Sequence, residues 1–443
     1  MRIVVVGAGK MGLPLACMFA HRGATVTVCD HSRTIVERIN QGIDPHSEPE
    51  QDEYVRVGVA SGRLRASEDT TSEVAHADAV VILVSALLTA ERDIDWGNLV
   101  NASAAVAKGL RKGMLVSYET TVPVGGCRRI LAPVLEGQGL TAGRDFVLVF
   151  SPERVKSRSI FAHLNRTPKI VGGIDVASTR AGADFYTRWL GAPVFEVDSL
   201  EAAEFVKLAG MIYRDVNIAL ANELALFAEG VGIDIWPILR AANTDGETAL
   251  LQPGIGVGGH CTPVYPHFLI NDAARRGMQQ ELAVLGRKIN ERQPERHIER
   301  LSAALGGLNR RRVHLLGLAF RPQVPEDTCS PAWGLQERLR REGATVTIED
   351  PVYDDVALIQ KGFTPGRIAG DGIDAVVLHT AHPEFARPNF TEWRANGIRA
   401  VLDGRAFWSR REVESAGLIY LGVGIGGGDV VSARDAVARR QQN

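Results

Sequence analysis

Short apolar runs, rich in β-branched residues, alternate with amphipathic stretches through the first part of the chain. The runs fall at 2–6, 25–29, 79–84, 113–118, 146–150 and 169–172. Their length and near-continuous apolar character predict strands buried on both faces, and the stretches between them predict covering helices. This alternation implies a doubly wound α/β domain. The pattern changes at about residue 201. From there to 232, Ala202, Phe205, Val206, Ala209, Ile212, Val216, Ala219, Leu220, Leu224 and Phe227 recur with a period near 3.6, which predicts one long helix. Helical character returns from about 266 to 303. Strand runs then resume at 312–317, 345–348, 375–378 and 401–402 and mark a second, smaller α/β domain. The expected division is 1–198, 199–305 and 306–443. A polar tail after Ser432 is expected to be mobile.

The glycines sharpen this picture. The first run leads into Gly7-Ala8-Gly9-Lys10-Met11-Gly12, and the second ends at Asp30. In a Rossmann-type dinucleotide site Gly7 makes the tight turn, Gly9 lets the backbone meet a pyrophosphate, and Gly12 allows helix–strand packing. Lys10 and Met11 open the helix whose first amides receive the phosphates. Asp30 stands where an acid binds ribose hydroxyls. Arg33 lies close enough to meet a 2′-phosphate, but Asp30 would repel one, so NAD is expected rather than NADP. The fold class is therefore α/β, with two Rossmann-like doubly wound domains joined by a long central helix and a helical segment.

A second glycine cluster surrounds Cys261 in Gln252-Pro253-Gly254-Ile255-Gly256-Val257-Gly258-Gly259-His260-Cys261-Thr262-Pro263. Such a loop permits close ligand approach and holds a thiol still and partly exposed, as a nucleophile requires. Composition excludes other classes. A net charge of −2 on 443 residues, with no basic block, argues against a nucleic-acid surface. The longest apolar run, 79–88, is too short to span a bilayer. Because the first residues read as a strand, no signal peptide is expected. Five cysteines at irregular spacing suit neither a disulfide framework nor a metal site and point to a reducing cytoplasm.

Several blocks together resemble the UDP-glucose/GDP-mannose dehydrogenase family. They are Gly7 to Pro14, Glu119-Thr120-Thr121-Val122-Pro123-Val124-Gly125, Ser151-Pro152-Glu153-Arg154-Val155, Pro168-Lys169-Ile170-Val171-Gly172-Gly173, Tyr213-Arg214-Asp215-Val216-Asn217, Asn222-Glu223-Leu224, Gly256 to Cys261, and Gly317-Leu318-Ala319-Phe320-Arg321-Pro322. The Glu153-Arg154-Val155 and Tyr213 to Asn217 blocks are similar to the branch that oxidises UDP-N-acetyl-hexosamines. The resemblance implies oxidation of a sugar C6 alcohol to a carboxylate with two NAD, with no metal and no membrane, in a homodimer built on the central helix.

The family's roles carry over residue by residue. Cys261 matches the nucleophile, Lys207 the lysine that steadies charge on the C6 oxygen, Glu153 the acid that activates water, and Thr121 a hydroxyl that holds water. Around Lys207, Phe205, Val206, Leu208 and Ala209 imply an apolar stripe and a buried lysine. The cofactor set is Gly7, Gly9, Lys10, Met11, Gly12, Asp30, Arg33, Ser85 and Thr121. The substrate set is Glu153, Arg154, Val155, Lys207, Arg214, Asn217, Gly256, Gly258, Gly259, His260, Phe320 and Arg321. The chain departs from the pattern at Met211 for Asn, at Tyr265 for an Asp of the catalytic set, and at Pro325, Glu326 and Thr328 for an Asp-Asp pair and an Arg. It departs again at Glu247-Thr248-Ala249-Leu250, where the family commonly has an Arg. Two alternatives stay open: oxidation that stops at the aldehyde or uses an unusual nucleoside-type substrate, and a catalytically silent nucleotide-binding member.

Overall fold

The computed structural model describes residues 1–46, 48–155, 158–368 and 372–426; the tail expected after Ser432 lies outside them. The chain divides into two compact units, one of residues 1–210 with 267–278 and one of 211–266 with 279–443. Among the described residues no helix is long and apolar enough to cross a membrane.

The first unit is built on a sheet with strand order β3-β2-β1-β4-β5-β6-β7-β8. The strands are β1 (Arg2–Val6), β2 (Thr25–Cys29), β3 (Leu64–Ser67), β4 (Ala79–Ile82), β5 (Leu115–Tyr118), β6 (Val147–Phe150), β7 (Lys169–Gly173) and β8 (Val194–Val197). All neighbours are parallel except β6 and β7, which pair Val149 with Gly173 and Phe150 with Gly172 in antiparallel register. The inner strands are buried throughout, as helices on both faces demand. Ile3, Val5, Val26, Val28, Leu13 and Phe19 belong to one core cluster. The strand order reverses between β1 and β4, so the crevice at their carboxyl ends is the ligand site of this topology.

The strand expected over 79–84 stops at Ile82, because Leu83 and Val84 pass over the glycine turn; a Cβ on Gly7 would lie 2.4 Å from the Leu83 carbonyl oxygen. The apolar pattern also missed β3, β8 and, in the second unit, the edge strand Ile419–Gly422. Each is a sheet edge with one neighbour; β3 reads Leu-Arg-Ala-Ser and β8 is partly exposed along its whole length, so neither of these two carries a buried strand's apolar run.

The long helix spans Leu200–Val231. Gly232 ends it at φ +79, and the Ile233 N–H closes back on the Ala228 carbonyl at 3.0 Å, the Schellman pattern. Its buried positions include Ala203, Glu204, Leu208, Met211, Asp215, Asn222, Ala225 and Ala228, whereas Phe205, Tyr213, Leu220 and Phe227 are exposed. The apolar period therefore identified a helix but not its buried face. The helical stretch from 266 is three helices, Tyr265–Arg275, Glu281–Glu291 and Gln293–Leu305. Gly277, at φ +73, follows the first, and Pro294 opens the third.

The second unit carries an all-parallel sheet of order β10-β9-β11-β12-β13. Its strands are β9 (Arg312–Leu316), β10 (Thr345–Glu349), β11 (Ala375–Leu378), β12 (Ala400–Asp403) and β13 (Ile419–Gly422).

Candidate active site

The dinucleotide fingerprint lies at the carboxyl end of β1, within the first unit. Gly7 sits at φ +107, and a Cβ on Gly12 would lie 1.9 Å from the Gly7 carbonyl oxygen. Both positions are closed to side chains by the protein itself. Gly9 is different: a Cβ there meets nothing within 4 Å. That open ground before the helix Gly12–His21 suits a pyrophosphate, and the preceding Met11 gives no side-chain cap to the helix. Asp30 accepts the Ala8 N–H at 2.8 Å and the Ser32 N–H at 2.9 Å, so the acid braces the turn it ends against. Arg33 is exposed and paired with Glu37 at 2.8 Å. Ser85 is exposed, and Lys10 is partly buried. These features fit NAD: a tight turn, open backbone at Gly9 and a carboxylate at the second strand's end.

The chain turns immediately after β5 and β6 to bring up Thr121 and Glu153, both buried. The Ser151 N–H bonds the Tyr118 carbonyl and the Glu153 N–H the Glu119 carbonyl, extending the ladder past the strand ends. Glu153 Oε1 accepts the Val155 N–H at 2.5 Å. Lys207 Nζ donates to the Glu153 carbonyl at 2.5 Å. The lysine is only partly buried, because Phe205 and Ala209 face outward, so the buried stripe expected around it is not formed. Arg154 is exposed and donates to the Pro168 carbonyl; Val155 is partly buried.

Three residues to which the sequence gave no role complete this cluster. Lys169 Nζ lies 2.5 Å from Glu119 Oε2 and 3.6 Å from Glu153 Oε2. Tyr186 donates its hydroxyl proton to Glu119 Oε1 at 2.7 Å. Burial alone would raise the Glu153 carboxyl. Lys169, the Val155 N–H and Lys207 together hold it below the ordinary range. Burial pushes Glu119 up to about 7, with Glu153's charge adding to the shift and Lys169 opposing it. A sequence signal existed: a lysine opens an otherwise apolar strand, and acids follow two others.

In the second unit, Cys261 is partly exposed at the end of the glycine loop. Loop and support pack too closely for side chains. A Cβ on Gly256 would meet Pro331 at 2.7 Å, and one on Gly258 would meet Phe320 at 2.5 Å. Gly259, at φ +98, lies under the Phe320 ring and donates its N–H to the Thr328 carbonyl at 2.8 Å. These glycines admit the protein's own side chains. Arg321 stacks over Phe320 and pairs with Glu326 at 2.8 Å. Tyr265 is buried; its hydroxyl lies 3.0 Å from His260 Nδ1, and its N–H bonds the Cys261 carbonyl.

Asn217 spends its carboxamide on the Ala249 carbonyl and the Leu251 N–H, bracing the segment before the loop; Arg214 beside it is partly buried. Asn222, also given no role from sequence, accepts the Gly254 N–H at 3.0 Å and donates to Asn290. The structure thus gathers Thr121, Glu153 and Lys207 in one unit, and His260, Cys261, Tyr265 and Phe320 in the other.

Known proteins match this chain along most of its length. Residues 1–190 match the NAD-binding domain of the UDP-glucose/GDP-mannose dehydrogenase family, 201–292 its central domain and 314–410 its UDP-binding domain. A UDP-N-acetyl-D-mannosamine dehydrogenase of Pyrococcus horikoshii is 32% identical over 96% of this chain and 100% of its own length. A solved structure described as that activity from the same organism superimposes with a TM-score of 0.87 at 31% identity, covering 96% of this chain and 100% of the other. A UDP-N-acetyl-D-mannosamine dehydrogenase of Salmonella typhi is 35% identical over 92% of this chain and 99% of its own. The structure of a UDP-glucose dehydrogenase from Pyrobaculum islandicum gives 0.86 at 27% identity, covering 96% and 98%. With all three domains present in order, this chain belongs to the UDP-glucose/GDP-mannose dehydrogenase family and is an NAD-dependent nucleotide-sugar oxidoreductase.

Proposed function

We propose that the chain oxidises the C6 alcohol of a UDP-N-acetylhexosamine to the carboxylate, releasing two hydrides per sugar. The observation that carries this reading is the joining of Lys207 to Glu153 at the carboxyl edge of the sheet that bears the fingerprint. NAD, when bound, accepts each hydride. The Lys207 ammonium steadies negative charge on the C6 oxygen as its proton leaves. The Cys261 sulfur adds to the aldehyde and is acylated by the second oxidation. Glu153 then takes a proton from a water held with Thr121, as that water's oxygen bonds to the acyl carbon and the C–S bond breaks. The names of the relatives and the Glu153-Arg154-Val155 block support the N-acetylhexosamine branch.

NADH formed per sugar, measured by absorbance over a panel of UDP-, GDP- and dTDP-hexoses, tests the reading. Two NADH per UDP-N-acetylhexosamine are expected, and Cys261→Ser is expected to accumulate an acyl-enzyme visible by mass spectrometry. Full turnover by Cys261→Ala would refute the thiol's role. One NADH, with aldehyde released, supports a second reading, which the commitment of the Tyr265 hydroxyl to His260 and the buried Met211 thioether favour. No NADH would indicate a silent nucleotide-binding member.

The same reading includes a homodimer along the long helix, supported by the outward row of Phe205, Tyr213, Leu220 and Phe227. It also includes a cytoplasmic setting, where five unbridged cysteines stay reduced.

A further inference from the structure

Lys169 owes its position to one reversal in the sheet. In an all-parallel sheet the first residue of a strand lies at the edge opposite the ligand site. β7 runs antiparallel to β6, with Phe150 opposite Gly172, so its first residue reaches past the carboxyl end of β6. There Lys169 is 6% exposed, and its Nζ sits between two carboxylates, 2.5 Å from Glu119 and 3.6 Å from Glu153. The ammonium also lies 5.1 Å from the centre of the Tyr186 ring. Behind it, Tyr186 donates to Glu119 and lies 2.7 Å from Ser117 Oγ. Desolvating such a trio costs more than packing apolar side chains of similar volume would, so it is poorly explained by stability alone.

We propose that Lys169 is a positioning residue for Glu153, and that Glu119, clamped by Tyr186, sets how much of the ammonium's attraction Glu153 receives. This rests on the reading of Glu153 as the group that activates water. The charged groups facing Glu153 are Lys169 from β7, Lys207 from the long helix and Glu119 beyond β5; Glu119 in turn faces Lys169, Glu153 and Tyr186. A carboxylate that takes a proton from water must be ionised and held in one orientation. The Val155 N–H fixes one oxygen, and Lys169 draws the other. In hydrolysis Glu153 removes one proton from water, and that proton returns to the departing sulfur. Acid and thiol are released, and Glu153 is again a carboxylate beside Lys169.

The two partners predict opposite effects. Decay of the acyl-enzyme, followed by quenched-flow mass spectrometry from pH 3.5 to 8, should show an acid limb. Lys169→Met should move that limb upward by about one unit and slow decay by up to about ten-fold on its acid side, with little change at pH 8, and Lys169→Arg should restore most of the rate. Glu119→Leu, which removes the competing acceptor and so frees the ammonium for Glu153, should move the limb downward. The first NADH burst serves as the internal reference, because alcohol oxidation does not use the water. NAD affinity and the thermal midpoint report folding; if Lys169→Met does not fold, the direction of the Glu119→Leu shift decides alone. Unshifted limbs, shifts of the same sign, or equal loss in the burst and the decay overturn the proposal. Glu153→Gln separates the two readings. If its acyl-enzyme decays normally, the assignment of Glu153 itself is wrong. If its acyl-enzyme persists while Lys169→Met leaves the limb in place, only the positioning role fails.

Discussion

The three fingerprint glycines share a residue type but meet different demands. Cβ atoms at Gly7 and Gly12 would strike backbone at 2.4 and 1.9 Å, whereas one at Gly9 strikes nothing. Gly9→Val is therefore expected to fold with an unchanged thermal midpoint and to weaken NAD binding by about a hundred-fold or more, since a branched side chain would occupy the pyrophosphate's approach. Gly12→Ala should instead lower stability by about 1–3 kcal/mol or more by overpacking the turn. Isothermal titration with NAD and a denaturation curve for each variant separate the two; unchanged NAD affinity in folded Gly9→Val would place the pyrophosphate elsewhere. The sequence made the glycine positions legible through their spacing from a strand. It did not reveal that Gly258 and Gly259 yield to Phe320, because that neighbour lies some sixty residues away in the chain.

The strands show where the apolar pattern informs and where it fails. Inner strands such as β1, β4 and β5 are buried almost throughout and announce themselves. Edge strands β3 and β8 do not, since an edge need not be apolar on both faces. Charged residues at or just beyond strand ends escape the pattern too, and Lys169 and Glu119 were legible only as parts of longer blocks. Their burial has a thermodynamic signature. Glu119 and Glu204 are each pushed up to about 7, chiefly by burial, and Glu204 is partly compensated by the Cys127 and Gly125 N–H groups. The folded state thus retains protons that the unfolded chain gives up near 4.5. The stability these groups contribute is full below about 4.5 and is lost as pH rises through about 7. Glu153, shifted the other way, acts only on the acid side of that window. Urea midpoints at pH 5 and pH 8 should therefore differ in favour of pH 5 for these sites, and Glu119→Gln should reduce the difference. A midpoint difference unchanged in that variant would show that Glu119 is already ionised at pH 5.

At the scale of the whole molecule, the long helix serves two purposes at once. One face carries Glu204, Met211 and Asp215 inward, and the other presents Tyr213 at 56% and Phe227 at 66% exposure. Leu220→Glu combined with Phe227→Glu should convert the expected dimer to a monomer in sedimentation velocity while leaving NAD binding intact; a native protein that sediments as a monomer would refute the dimer. The reversal between β6 and β7 has a different reach. Connecting loops usually tolerate gain or loss of a residue, because nothing downstream depends on their length. The segment 158–168 does not share that freedom. It feeds a strand held to β6 through only two paired positions, Val149 with Gly173 and Phe150 with Gly172, and a slip of one residue turns every side chain of such a strand to the opposite face. An inherited insertion or deletion there would fall on Lys169 first, so drift in the length of this loop is constrained by the chemistry at its far end.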